Sequence, residues 1–125
     1  MNTKRRKEPS FMSANIVSES KILDEINERV IKNFLDIVVM SKLKTESLSG
    51  YDFIAYINRR FNMLISAGTV YSLLYALERK QLIEGSGEER RRTYKLTEKG
   101  TATINVILKE NHQIEGFMAN VLKPE

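Results

Sequence analysis

Two amphipathic stretches with almost nothing between them constrain this chain more than any other feature. GYDFIAYINRRF (50–61) places Phe53, Ile54, Ile57 and Phe61 at a helical period. SAGTVYSLLYALE (66–78) resumes that period with Val70, Leu73, Leu74 and Leu77. Only NMLIS (62–66) joins them, and Ser66 is a natural N-cap for a helix over about Ala67 to Lys80. Helices joined so tightly must cross steeply, which predicts a helix-turn-helix.

The elements on either side extend the pattern. From about Ser20 to Lys44, apolar residues at Ile22, Leu23, Ile26, Val30, Ile31, Phe34, Leu35 and Val38 step by three and four, predicting one helix capped by Ser18 or Ser20. KTESLSG (44–50) is polar, ends in glycine and reads as a loop. LIEGSGEERRRTYKLT (82–97) holds two short extended runs around Gly85-Ser86-Gly87, the signal of a hairpin with a loose tip. On its second arm Tyr94 and Leu96 alternate with Arg91, Thr93 and Lys95, so one face packs inward and the other faces out. Thr97 would cap a last helix over about Glu98 to Lys123. There Ile107, Ile114 and Val121 recur at steps of seven, and Ile104, Phe117 and Met118 fill in the apolar pattern. Such a repeat is the seam of a coiled coil, although Glu110 and Asn111 interrupt it.

This order of elements predicts a mainly α (α+β) fold. It is a winged helix-turn-helix with a two-stranded wing and a long C-terminal dimerisation helix. We expect a flexible basic arm over 1–17, with Lys4-Arg5-Arg6-Lys7 in a row. A DNA-binding domain follows over 18–97, and the dimerisation helix over 98–125.

Composition excludes several function classes. With no cysteine there is no thiolate metal site and no cysteine nucleophile, and a lone histidine, His112, cannot build a histidine-based metal centre. There is no phosphate-binding glycine loop and no paired metal-ligand spacing. We therefore expect no catalytic residues, no metal and no cofactor. No apolar run reaches the roughly 20 residues that cross a bilayer, and the basic N-terminus lacks the apolar core of a secretory signal. The expected location is cytoplasmic, with no membrane partner. Lys and Arg number 20 against 16 Asp and Glu, a net charge of +4 that suits an anionic partner.

Where that charge sits matters more than its sum. At about 100° per residue, the face opposite Val70, Leu73, Leu74 and Leu77, the expected buried side, carries Gly68, Ser72, Tyr75, Ala76 and Arg79, with Thr69 and Tyr71 on its flanks. It holds no carboxylate until Glu78, whereas a helix made only for solvent would carry Glu and Lys there. Small side chains allow close approach to base edges, hydroxyls can bond bases or phosphates, and the helix N-terminus attracts phosphate. Arg90, Arg91, Arg92 and Lys95 add cations on the wing, and Arg59 and Arg60 extend the basic surface.

At this point the chain resembles the PadR family of winged-helix transcriptional regulators. The likeness runs over about residues 48–100 and rests on GYDF (50–53), SAGTVYSLLYALE (66–78) and RRRTYKLTEKG (90–100). It implies phosphate contacts for Tyr51 and Tyr71, and a short class of regulator with one C-terminal helix. Relatives of that family commonly respond to phenolic compounds or drugs, which leaves a small-molecule inducer open as a partner. The sequence shows no pocket signature for one. The chain also departs from the family pattern: Ala67 and Ser72 stand where proline is frequent, and Gln81 replaces the usual glycine after the recognition helix. Ala76 replaces a common basic residue, and Thr93 replaces an aromatic of the wing.

The expectation is a homodimeric, sequence-specific regulator of double-stranded DNA, a repressor on a pseudo-palindromic operator. DNA would meet Tyr51, Ser66, Gly68, Thr69, Tyr71, Ser72, Tyr75, Arg79, Arg90, Arg91, Arg92 and Lys95. The dimer interface would hold Ile104, Ile107, Ile114, Phe117, Met118 and Val121. The alternative is an architectural or protein-interaction winged helix with little sequence specificity.

Overall fold

The computed structural model describes residues 17–125, which divide into two compact units at Phe34, 17–34 and 35–125. The Lys4–Lys7 run of the expected arm lies outside the described residues.

In the first unit, α1 (Glu19–Asn33) starts at Ser18, whose hydroxyl accepts the Lys21 N–H at 3.3 Å. The helix expected to run to Lys44 stops at Phe34, and α2 (Leu35–Leu43) begins anew. Two local bonds mark the break. The Asn33 side chain donates to the Arg29 carbonyl at 2.9 Å, and the Asp36 carboxylate accepts the Ile37 N–H at 2.8 Å. Side chains of this kind compete with the helical ladder. The apolar spacing continues through the break, which is why periodicity alone missed it. No residue of α1 is buried, and its stripe of Ile22, Leu23, Ile26 and Val30 lies open.

The second unit holds the core. α2 contributes Leu35, Val39, Met40 and Leu43, α3 (Gly50–Phe61) Phe53 and Ile57, and α4 (Ala67–Arg79) Val70, Leu74 and Leu77. Burying such a side chain stabilises the fold by about 1.5–3 kcal/mol. A three-stranded antiparallel sheet closes one side in the order β1-β3-β2, from β1 (Leu48–Ser49), β2 (Ile83–Ser86) and β3 (Thr93–Leu96). β1 falls inside the stretch expected to be loop, pairing Leu48 with Tyr94 and Ser49 with Thr93. The hairpin tip also lies later than expected. Gly85 and Ser86 pair within β2, while Gly87, at φ 95°, opens a tip that contains a 3-10 turn over Glu89–Arg91.

The C-terminal stretch forms two helices, α5 (Glu98–Lys109) and α6 (Asn111–Val121). Glu110 leaves helical geometry at φ −96°, ψ 21°, and its carboxylate then accepts from the Gln113 side chain at 2.9 Å. The heptad is thus carried by two segments. Ile104, expected at the dimer seam, is 0% exposed and belongs to the core of its own unit. An apolar period cannot by itself distinguish a core from a seam. Ile107 and Met118 are half-buried, whereas Ile114, Phe117 and Val121 are open.

α4 ends in a tight left-handed corner. The Gln81 N–H donates to the Glu78 carbonyl at 2.9 Å and the Leu82 N–H to that of Leu77 at 3.0 Å, the Schellman pattern, with Gln81 at φ 63°. Thr97 joins this corner to α5. Its hydroxyl donates to the Gln81 carbonyl at 2.7 Å and accepts the Gly100 N–H at 2.9 Å, while its own N–H reaches the Leu82 carbonyl at 3.1 Å. Lys99 adds a bond to the Lys80 carbonyl at 3.0 Å. A Cβ at position 100 would collide with the Leu82 carbonyl, so LTEKG (96–100) closes on the corner only with glycine last.

Candidate nucleic-acid interface

α4 begins where Ser66 caps it. The Ser66 hydroxyl accepts the Thr69 N–H at 3.1 Å and meets the Thr69 hydroxyl at 2.8 Å, so both expected DNA ligands also fix the helix start. The first N–H groups of a helix have no partner within it. Thr69 bonds the Ser66 side chain and Val70 the Ser66 carbonyl, which leaves the N–H groups of Ala67 and Gly68 as donors at the positive end of the helix. Around Gly68 a Cβ would find open space, its nearest neighbour the Ser66 hydroxyl oxygen at 4.0 Å. Packing does not require a glycine there.

One face of α4 is buried through Val70, Leu74 and Leu77, while Leu73, expected with them, is half-buried. Ser66, Gly68, Thr69, Tyr71, Ser72, Tyr75 and Arg79 are all exposed, and Ala76 is half-buried. Arg79 lays its guanidinium 5.0 Å from the centroid of the Tyr75 ring, a cation–π contact that joins the two into one surface. Tyr71 lies over Gly50, where a Cβ would strike its ring, so the Gly-Tyr start of α3 makes room for a side chain of α4. Tyr51, one residue on, is 71% exposed in the first turn of α3. That turn is held by a reciprocal cap: Ser49 accepts from Asp52 N–H at 3.2 Å and Asp52 from Ser49 N–H at 3.0 Å.

The wing treats its cations differently. Arg91 is exposed on the 3-10 turn, and Lys95 faces out on β3, paired in register with Glu84. The side chain of Arg90 lies outside the described residues. Arg92, expected to meet phosphate, is engaged inside the chain: its Nη2 pairs with Glu78 Oε2 at 2.8 Å. Its guanidinium also lies across Gly85 and 5.9 Å from the Tyr94 ring. The hydrogen bond and charge of Glu78 raise the Arg92 pKa above its ordinary value. Tyr94 is buried, and that burial pushes its phenol above the usual range, with Glu78 adding and Arg92 opposing. Arg59 and Arg60 gather with Lys42 around Tyr56, where Arg60 donates to the phenol oxygen at 2.6 Å. Sequence reasoning missed Glu78 as a partner for the wing. The available signal was that it is the one carboxylate in a helix otherwise free of acid.

Among the described residues, no group of three acidic, histidine or cysteine side chains converges as a metal site, and no helix is long and apolar enough to cross a membrane.

Comparison with known proteins agrees with this geometry. The Transcriptional regulator PadR-like family matches residues 39–106. No curated protein matches the chain. Among solved structures, a PadR family transcription regulator from Clostridium difficile is 25% identical, with a TM-score of 0.60 over 72% of this chain and 99% of that one. One from Eggerthella lenta is 21% identical, with a TM-score of 0.66 over 85% and 96%. Bacillus subtilis PadR, solved in complex with operator DNA, is 18% identical, with a TM-score of 0.51 over 71% of this chain and 60% of that one.

Proposed function

For a chain that belongs to the Transcriptional regulator PadR-like family, and so is not an enzyme, we propose a sequence-specific DNA-binding repressor that acts as a cytoplasmic homodimer. The observation that carries this reading is the outward face of α4: exposed, small or hydroxylated, and with its first turn free of acid. Ser72, Tyr75 and Arg79 read base edges in the major groove, while the bare N-terminus around Gly68 receives a phosphate. Arg91 and Lys95 on the wing, and Tyr51 on α3, hold the backbone and carry no sequence information. A structure of the same fold exists with operator DNA, which supports this docking.

The dimer rests on open apolar side chains. On α6, Phe117 is 69% exposed, Val121 62% and Ile114 39%. Side chains of this size left in water at helical spacing favour a second copy of the same surface. Two-fold symmetry then sets two reading helices about 34 Å apart on a pseudo-palindromic site. An inducer would act by changing that separation.

The test is to retrieve bound fragments from random DNA, footprint one, and measure binding against salt. Ser72→Ala and Tyr75→Ala should relax sequence preference, whereas Arg91→Ala should weaken all sequences and lower the salt slope by about one. Equal affinity for retrieved and random fragments would replace this reading with the architectural one.

A further inference from the structure

One carboxylate oxygen ties the wing to the reading helix. Glu78 Oε2, in the last turn of α4, accepts the Gly85 N–H of β2 at 3.2 Å and Arg92 Nη2 at 2.8 Å. Arg92 leads directly into β3, and its Nη1 reaches the Gly87 carbonyl at the tip at 3.4 Å. The guanidinium covers Gly85 so closely that a Cβ there would meet it. Both strands and the tip of the wing are therefore bonded, through two side chains, to the end of α4. The pair is partly shielded, with side chains 35% and 27% exposed, and its bond is charge-assisted.

We propose that Glu78 and Arg92 are positioning residues for DNA binding: their pair sets the wing against α4 and so holds Arg91, the neighbour of Arg92, where it meets the backbone. This rests on the DNA-binding reading above. It reverses the ordinary electrostatic sign of Glu78. Neutralising an acid on a DNA-binding surface removes repulsion from phosphate, so simple charge counting expects tighter binding. The clamp requires the opposite, because losing Glu78 releases the wing. It also removes Arg92 from the phosphate ligands, although the two residues before it, Arg90 and Arg91, are arginines.

The experiment measures binding of a retrieved DNA fragment across a salt series for wild type, Glu78→Ala, Glu78→Gln, Arg92→Ala and the Glu78→Ala/Arg92→Ala pair. Amide exchange at Gly85 is followed in the free proteins. Without the clamp the wing must be ordered on binding, but Arg91 still reaches its phosphate in the complex. We therefore expect Glu78→Ala and Arg92→Ala each to weaken binding about fivefold or more with a wild-type salt slope, and the double variant to be no weaker than the poorer single. Glu78→Gln, which keeps the acceptor oxygen, should lose less. Exchange at Gly85 should quicken in Glu78→Ala while circular dichroism stays native. Should Glu78→Ala fail to fold, Glu78→Gln carries the same comparison against Arg92→Ala. Tighter or unchanged binding by the Glu78 variants, or a salt slope lowered by Arg92→Ala as by Arg91→Ala, overturns the clamp. Unchanged Gly85 exchange overturns it in the free protein, whatever the DNA result. If the wild type retains no DNA while Gly85 exchange quickens, it is the DNA-binding reading that has failed, and a role in positioning the wing for DNA falls with it.

Discussion

Gly68→Ala separates what the fold needs from what the reading surface needs. Glycine in a helix costs roughly 0.5–1 kcal/mol relative to alanine, because the unfolded chain has more freedom to lose. Nothing in the fold recovers that cost at position 68. Gly87 is the glycine with positive φ, and a Cβ at 68 would lie 4.0 Å from its nearest neighbour, ordinary contact. Alanine should therefore stabilise the protein by about 0.5–1 kcal/mol, toward the lower end in a first turn. For a chain of this size that raises the melting midpoint by about 1–5 °C. The same methyl group would stand over the free N–H groups at the start of α4. Blocking one charge-assisted bond to a phosphate costs about 1.5–3 kcal/mol, which is a roughly 10- to 150-fold loss of affinity. Thermal unfolding by circular dichroism and fluorescence anisotropy on a retrieved fragment, both at one salt concentration, read the two effects separately. A variant that is more stable and binds as tightly as wild type would show that DNA does not approach at Gly68. A less stable variant would refute the open space around position 68.

Gln81→Gly should also stabilise, by about 0.5–1 kcal/mol in chemical denaturation. The left-handed corner costs an ordinary residue about 1–2 kcal/mol, and the greater freedom of unfolded glycine offsets part of the gain. Gly100→Ala should destabilise by about 1–3 kcal/mol, since the new methyl meets a backbone carbonyl that cannot turn aside. Tyr94 has its folded pKa raised by burial, so its contribution is complete below the ordinary tyrosine value near 10 and is lost as pH rises through the folded value. Absorbance at alkaline pH should show one of the five tyrosines ionising last, and Tyr94→Phe should remove that late step. Phe117→Glu combined with Ile114→Glu should yield a folded monomer in light scattering, because both side chains are exposed within one chain.

How legible each part was follows from how local its cause is. The limits and buried face of α4 are set by a cap three residues from its partner and by a period along one helix, so the sequence displays them. The breaks at Phe34 and Glu110 are local too, but they leave the apolar spacing intact, and the spacing was the signal being read. β1 is two residues long and exists only through pairing with β3, more than forty positions away. Arg92 looks like Arg91 in the sequence, and only folding brings it to Glu78, fourteen positions back. Ile104 has the same apolar character as Phe117, yet one is enclosed by its own chain and the other is not. The substitution of Gln81 for glycine was visible as a departure, and its cost became visible only with the φ of that residue.

The corner that Thr97 makes between α4 and α5 has a mechanical consequence. With three bonds from one residue and a glycine pressed against the carbonyl beside them, the two helices turn as a single lever. In a dimer held through α6, the joint of that lever is the non-helical residue Glu110. α5 is 12 residues long, so it reaches about 18 Å from the joint to the corner. A change of about 10° at Glu110 would then carry the reading helix roughly 3 Å, close to the ~3.4 Å between stacked base pairs.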